Sequence, residues 1–185
     1  MYETKMDIFN KLRDEKRVKD ICDKLNNFIS NILDLDPQFT YFGSKEHRYF
    51  TIYNKNKHNN GVSIDLNFRL HYPDKSSFWY DKETRNLDDD DDEFNKYVEC
   101  KYNQSKLLCA EIQWFSVSPK RKGYGSKIIS ELIEIIKIVE SVEMILLYPK
   151  DGNAQAFWNK NNFIGYKGYD KRLKPQISYN MIYKY

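Results

Sequence analysis

The feature that most constrains the fold is a strand–helix–strand sequence in the second half of the chain. Residues 107–117, Leu-Leu-Cys-Ala-Glu-Ile-Gln-Trp-Phe-Ser-Val, form a run typical of a β-strand. An unbroken helical pattern follows Gly123-Tyr124-Gly125 and runs to residue 140. Residues 142–148 form a short apolar run typical of a strand covered on both faces. Because the links are short, the two strands are predicted to be parallel, with a right-handed crossover. The apolar face of the helix comprises Ile128, Ile129, Leu132, Ile133, Ile135, Ile136 and Val139.

The first half of the chain predicts a helix followed by strands. Residues 4–34 carry apolar side chains at helical spacing, with a break expected near residues 14–16. Asp36-Pro37 ends this region, because a residue before proline leaves the helical conformation. Residues 49–53 and 62–72 alternate as strands do, with a turn at Asn59-Asn60-Gly61.

Three further segments have patterns that predict a loop, a helix and a strand. Residues 73–97 are polar and include five consecutive aspartates from Asp88 to Asp92, which form either a solvated loop or an acidic rim that attracts a cationic substrate. Residues 151–161 predict a short helix with Asp151 as its N-cap. Residues 176–185 alternate and predict a closing strand.

Composition excludes several classes of protein. The chain has 185 residues, which predicts one domain, and its net charge of +3 is too small to indicate a phosphate-backbone binder. Its three cysteines are far apart and lack the paired spacing of a zinc site, so reduced thiols in a cytosolic protein are expected. The three histidines lack metal-ligand spacing as well. No apolar run approaches the roughly 20 residues that span a bilayer.

The turn before the long helix combines glycine with positive charge. Lys120, Arg121 and Lys122 precede Gly123-Tyr124-Gly125. A helix N-terminus exposes backbone N–H groups with a partial positive charge, and glycine lets a ligand approach them closely. The pattern therefore predicts a phosphate or pyrophosphate site, although a loop that merely holds two glycines is the simpler reading. It matches neither the P-loop nor the three-glycine dinucleotide motif.

This arrangement resembles the GNAT superfamily of N-acetyltransferases. The turn is similar to the family's Gln/Arg-x-x-Gly-x-Gly/Ala loop, with Lys120 in the first position. Residues 151–163 are similar to the family's Asn-x-x-Ala-x-x-Phe-Tyr-x-x-x-Gly-Phe. Here Asp151, or Asn153 in a shifted register, takes the asparagine place, and Trp158 takes the tyrosine place. Asn162 takes the glycine place, and asparagine also tolerates a left-handed helix end. The resemblance covers residues 107–165, which follow a divergent part at residues 1–100.

The resemblance implies acetyl-CoA as the cofactor. Its pyrophosphate would lie on the N–H groups of residues 122–126, and its pantetheine arm would pair with strand backbone at residues 115–117. A backbone N–H there would also polarise the thioester carbonyl. The expected cofactor-binding residues are Phe115, Ser116, Val117, Lys120, Arg121, Lys122, Gly123, Tyr124, Gly125, Ser126, Asn153, Phe157 and Trp158.

The resemblance also implies which residues would accept and donate protons during acetyl transfer. Glu111 lies where the histone-acetylating members carry a catalytic glutamate, so it is either the general base or a structural glutamate. Many members protonate the leaving thiolate with the tyrosine that Trp158 replaces, and indole cannot do so. The thiolate would then leave unassisted, or Tyr124, Tyr148 or Tyr166 would supply the proton. Trp158 itself is expected to pack in the core beside the cofactor arm.

The predicted fold is α/β (α+β). It is one domain over residues 1–185 with a mixed, mostly antiparallel central sheet, a splayed parallel strand pair and flanking helices. The predicted function is acetyl-CoA-dependent transfer of an acetyl group to an amine of a small molecule or protein. The alternatives are a CoA-binding protein with little catalysis and a basic nucleic-acid-binding module. We expect a monomer or homodimer with neither nucleic acid nor membrane as partner.

Overall fold

A computed structural model describes residues 5–43, 47–54, 61–71, 108–142, 144–166 and 180–183. The described helices are α1 (Lys5–Leu33), α2 (Tyr124–Glu140) and α3 (Gly152–Lys160). The described strands are β1 (Gln38–Gly43), β2 (His47–Tyr53), β3 (Ser63–His71), β4 (Cys109–Ser118), β5 (Met144–Leu147), β6 (Phe163–Tyr166) and β7 (Asn180–Tyr183). The aspartate run and the predicted turn residues 59 and 60 lie outside the described residues.

The strands form one mixed sheet in the order β1-β2-β3-β4-β5-β7-β6. β4 and β5 are parallel, with Cys109 opposite Met144 and Ile112 opposite Leu147. The pairs β1–β2, β5–β7 and β6–β7 are antiparallel. The predicted fold class, a mixed and mostly antiparallel sheet with one parallel pair and flanking helices, is therefore confirmed.

The chain divides into two compact units, and β3 and β4 each contribute to both. The first unit comprises residues 1–68 and 114–141, and the second comprises residues 69–113 and 142–185. In the part of the chain that the structure describes, no helix is both long and apolar enough to cross a membrane.

In the first unit, α1 packs against α2 through side chains at helical spacing. Val18, Ile21, Leu25, Ile29 and Leu33 of α1 are buried. The predicted face of α2 is also buried, except that Val139 is half-buried. Burying each such side chain contributes roughly 1.5–3 kcal/mol, and this burial holds both helices in place.

The strands of the first unit alternate between buried and half-buried side chains. Phe50 of β2 and Phe68 of β3 are fully buried, and their rings stack with centroids 4.7 Å apart. The register places Tyr41 of β1 opposite Phe50. Tyr41 and Phe42 of this edge strand are exposed, and the Phe42 ring stacks on Tyr49 at 5.0 Å.

A buried ion pair ties β2 to the end of α2. Arg48 Nη1 lies 2.5 Å from Glu140 Oε1, and both side chains are almost completely buried. Arg17 of α1 approaches the other Glu140 oxygen at 3.6 Å from a half-exposed position. Three elements of the first unit therefore meet at one carboxylate.

In the second unit, all four β5 residues, Met144–Leu147, are buried between β4 and β7. The α3 helix begins at an N-cap, where Asp151 accepts a hydrogen bond from the Ala154 N–H at 2.8 Å. At its other end Asn162 has a left-handed φ of 65°. Both features agree with the sequence-based prediction for this helix.

Two predictions about secondary structure were wrong or incomplete. The expected break near residues 14–16 does not occur. Glu15 and Lys16 are good helix formers and are exposed, so α1 continues through this turn. Strands β1 and β6 were not predicted. β1 lies at the sheet edge with mostly exposed side chains, so its sequence lacks a clear apolar alternation.

Candidate active site

The predicted phosphate-binding turn opens directly into α2. Gly123 has a φ of 81°, a left-handed conformation that glycine adopts without strain. The Lys127 N–H donates to the Gly123 carbonyl at 3.2 Å, as in the first turn of an α-helix. The N–H groups of residues 124–126 precede this bond and have no intrahelical acceptor, because the first turn of a helix offers them none. The turn therefore presents a set of backbone donors.

Charge and space at this turn also suit an anion. Lys120, Arg121 and Lys122 are all exposed, and Arg121 has a left-handed φ of 63°. Gly125 is buried within the first turn of α2, with Tyr124 and Ser126 half-buried on either side. The positive side chains and the positive end of the helix dipole both attract an anion to this turn. The residues present therefore fit a phosphate or pyrophosphate group.

The β4 strand is longer than its parallel partner. Its pairing with β5 ends at Ile112 opposite Leu147, whereas β4 continues to Ser118. Phe115, Ser116 and Val117 all lie in this extension, directly before the turn. The predicted pantetheine-pairing and pyrophosphate-binding segments, residues 115–117 and 120–126, are thus consecutive parts of the first unit.

Glu111 lies in the second unit and is held in a polar cluster. Its side chain is buried, with 8% of the residue exposed. Arg69 of β3 donates to Glu111 Oε2 from Nε at 2.9 Å and from Nη2 at 2.6 Å. His71 Nε2 lies 3.8 Å from the same oxygen. Glu111 therefore has an ion-pair partner that the sequence did not reveal.

Tyr148 lies immediately after β5 and interacts electrostatically with Glu111. Partial burial of the phenol, and then the negative charge of Glu111, raise the pKa of Tyr148 above its usual value. A phenol with a raised pKa holds its proton more tightly at neutral pH. Of the three tyrosines proposed to protonate the leaving thiolate, Tyr148 is therefore a poor donor.

The α3 residues of the predicted site have different environments. Asn153 is exposed near the helix N-terminus, and Phe157 is half-buried. Trp158 is buried, with edge-on rings at 4.9 Å to Phe157 and 5.1 Å to Phe163. The expectation that Trp158 packs in a core is therefore confirmed, and its indole belongs to an aromatic cluster of the second unit.

Sequence reasoning missed Arg69 and identified His71 only as a strand residue. The signal was present in β3, where polar Asp65, Asn67, Arg69 and His71 alternate with buried Ile64, Leu66, Phe68 and Leu70. The alternation places Arg69 and His71 on one face. Their meeting with Glu111 depends on β3 lying beside β4, which no local pattern specifies.

Two sequence comparisons were made with known proteins. The sequence matches no protein-family model, and no curated protein is significantly similar to it.

Proposed function

We propose that this chain is an acetyl-CoA-dependent N-acetyltransferase of the GNAT type that acts on a primary amine. One observation carries the proposal. A parallel strand pair ends at Ile112 and Leu147, one strand runs on to Ser118, and that strand leads through Gly123 into the N-terminus of α2. Extended backbone followed by a glycine-opened helix suits a ligand with a linear amide arm and a pyrophosphate.

The charges at the turn support the pyrophosphate part of the proposal. Lys120, Arg121 and Lys122 are exposed, and the space that a Cβ would occupy at Gly123 is open, so an anion can approach the start of α2 there. The amide arm would run along residues 115–117 of β4, where its carbonyl and N–H groups can pair with strand backbone.

The reaction needs an acyl donor, a proton acceptor and a leaving group. Acetyl-CoA supplies a thioester whose carbonyl is open to attack. As the C–N bond forms and the C–S bond breaks, Glu111 takes the proton that the amine loses. Because thiols are comparatively strong acids, with an ordinary pKa of about 8.5 for cysteine, the sulfur can depart as a thiolate without help from Tyr148.

A second candidate is a CoA-binding protein with little catalysis. It is favoured by buried Trp158 in the place of the family's tyrosine and by the raised pKa of Tyr148. An indole cannot protonate a thiolate, and a phenol with a raised pKa is a poor proton donor. Both candidates require CoA binding, and they differ only in turnover.

Calorimetric titration of acetyl-CoA and of free CoA into the protein tests the shared requirement. We expect micromolar binding that weakens at least tenfold, about 1.4 kcal/mol, when Lys120, Arg121 and Lys122 are all replaced by alanine. A matched control replaces Lys19, Lys24 and Lys160, which are exposed lysines on α1 and α3, and removes the same charge. Its affinity should be unchanged.

Two results would contradict the proposal. Absence of binding at millimolar acetyl-CoA would reject both candidates. Equal weakening by the two triple variants would mean that only net charge matters and that the turn is not the site. Release of CoA in the presence of a polyamine, lysine amide or an amino sugar then separates the transferase from the non-catalytic binder.

A further inference from the structure

The contacts of Glu111 are distributed unequally between its two oxygens. Both Arg69 hydrogen bonds reach Oε2, and His71 Nε2 approaches that same atom. Among the described residues, no hydrogen bond or ion pair reaches Oε1. Oε2 therefore accepts the contacts that hold the side chain, whereas Oε1 accepts none from the described residues.

The geometry of Arg69 suits a holding role. Two N–H groups of one guanidinium point at one carboxylate oxygen, so the rigid, planar group restrains rotation of the carboxylate as well as its position. Burial strengthens this restraint, because a hydrogen bond between charged groups is stronger where water is largely excluded. His71, which is 3% exposed, approaches the same side of the carboxylate.

The location of the cluster relates it to the parallel strands. Glu111 lies opposite Leu146, one residue before the β4–β5 pairing ends, and Tyr148 follows directly after β5. Tyr148 is 40% exposed, so the cluster extends from a buried ion pair to the solvent at the carboxyl end of β5. Ligands of sheets with parallel strands bind at this end.

We propose that Arg69 is a positioning residue that fixes the Glu111 carboxylate through Oε2, so that Oε1 is the atom that takes the proton from the acceptor amine. The inference rests on the proposed acetyltransferase function. In the step, the amine nitrogen gives one proton to Glu111 Oε1 and forms the bond to the acetyl carbon, and the sulfur keeps the electron pair of the C–S bond. Arg69 does not contact the reacting atoms.

The test compares turnover of wild type with that of Arg69→Gln and Arg69→Lys. The donor is acetyl-CoA, the acceptor is whichever of a polyamine, lysine amide or an amino sugar the wild type acetylates fastest, and released CoA is measured as free thiol. We expect kcat to fall about 100-fold in Arg69→Gln, because a misplaced base loses most of its contribution. KM for acetyl-CoA should stay within about twofold, since Arg69 does not bind the donor.

Chemical rescue separates positioning from simple loss of stability. In Arg69→Ala, added methylguanidine should restore at least about tenfold in kcat, because the side chain of Arg69 is 25% exposed and its place can be reached from solvent. Arg69→Lys, with a point charge and no planar pair of donors, should fall between wild type and Arg69→Gln. Arg17→Gln is the matched control, because Arg17 also faces a buried glutamate, Glu140. The kcat of the Arg17→Gln variant should equal that of wild type.

A double variant keeps the test decisive if Arg69→Gln does not fold. Arg69→Gln with Glu111→Gln replaces the ion pair with two amides that can bond to each other, and it should fold but match Glu111→Gln in its low turnover. Wild-type turnover in Arg69→Lys or in the double variant would overturn the inference, as would a loss of kcat that methylguanidine cannot restore. No turnover by wild type with any amine would instead reject the proposed function, and this inference with it.

Discussion

Removing the carboxylate of Glu140 should destabilise the first unit more than any surface substitution on the same helix. Glu140 contacts buried Arg48 at 2.5 Å and is approached by Arg17 at 3.6 Å. Without it, Arg48 remains buried without its carboxylate, and Arg17 loses the oxygen that it approaches. Among the described contacts, Arg48 Nε already lacks a hydrogen-bond partner, so the pair with Glu140 is the main compensation for burying this charge.

The size of the effect follows from burial. Breaking a buried ion pair by removing one partner costs about 3–5 kcal/mol, because the remaining charge stays desolvated. Glu140→Gln keeps one acceptor oxygen but loses the charge, so its cost should be smaller, about 1.5–3 kcal/mol. In a chain of this length, 3–5 kcal/mol corresponds to a fall in Tm of about 6–20 °C.

Urea unfolding followed by circular dichroism measures these differences. Glu134→Ala is the matched control, because Glu134 is an exposed glutamate on the same helix and its removal should change the free energy of unfolding by no more than about 0.5 kcal/mol. The double variant Arg48→Met/Glu140→Leu should recover most of the loss, since apolar side chains of similar size can replace a buried pair.

The reasoning would be refuted by either of two results. Glu140→Ala could prove as stable as Glu134→Ala, which would mean that the pair contributes nothing. Alternatively, the double variant could lose as much free energy of unfolding as Arg48→Met and Glu140→Leu lose together when each is measured singly, which would mean that the two side chains are not coupled.

Three further predictions concern a helix cap, a turn glycine and a thiol. Asp151→Ala should lower the free energy of unfolding by about 1 kcal/mol, because the Ala154 N–H loses its acceptor. Asp151→Asn should lose little stability. Equal thermal melts for wild type and Asp151→Ala would contradict this prediction. Gly123→Ala should lower the free energy of unfolding by about 1–2 kcal/mol, because alanine is strained at the Gly123 φ of +81°. The space around a new Cβ is open, so no steric clash adds to this cost. A Gly123→Ala variant as stable as wild type in urea unfolding would show that the turn is not left-handed. Burial and then the Asp23 charge raise the pKa of the Cys22 thiol to about 12. Because the unfolded thiol ionises near pH 8.5, the contribution of Cys22 to stability is complete below that pH and is lost as the pH rises from about 8.5 to 12. Cys22→Ala should therefore flatten the alkaline decline in stability, and wild-type Cys22 should react slowly with iodoacetamide at pH 8; labelling at the rate of a free cysteine would contradict the raised pKa.

The elements that sequence predicted well are those with a strong local pattern. α2 carries seven apolar residues at helical spacing, and β5 is an uninterrupted apolar run, so the type of each element was predicted correctly. The parallel pairing of β4 with β5 was predicted as well, because the links to the helix between them are short. Asp151 and Asn162 were assigned correctly because an N-cap acceptor and a left-handed helix end each favour particular side chains.

The parts that sequence did not predict depend on distant neighbours. β1 is a strand because β2 supplies its hydrogen-bonding edge, and nothing within Gln38–Gly43 specifies that partner. Glu111 was recognised as a candidate base, yet its Arg69 partner lies 42 residues earlier in the chain. Long-range pairing of charges carries no local periodicity, so the structure was needed to find it.

The two-residue period of β2 limits how this part of the chain can change in length. Arg48, Phe50 and Ile52 are buried, whereas the residues between them are half-buried. Deleting or inserting one residue would exchange the two faces, moving Phe50 away from Phe68 and Arg48 away from Glu140. We therefore expect length variation in β2 to be accepted only in steps of two residues, and single-residue insertions to be confined to the ends of the strand.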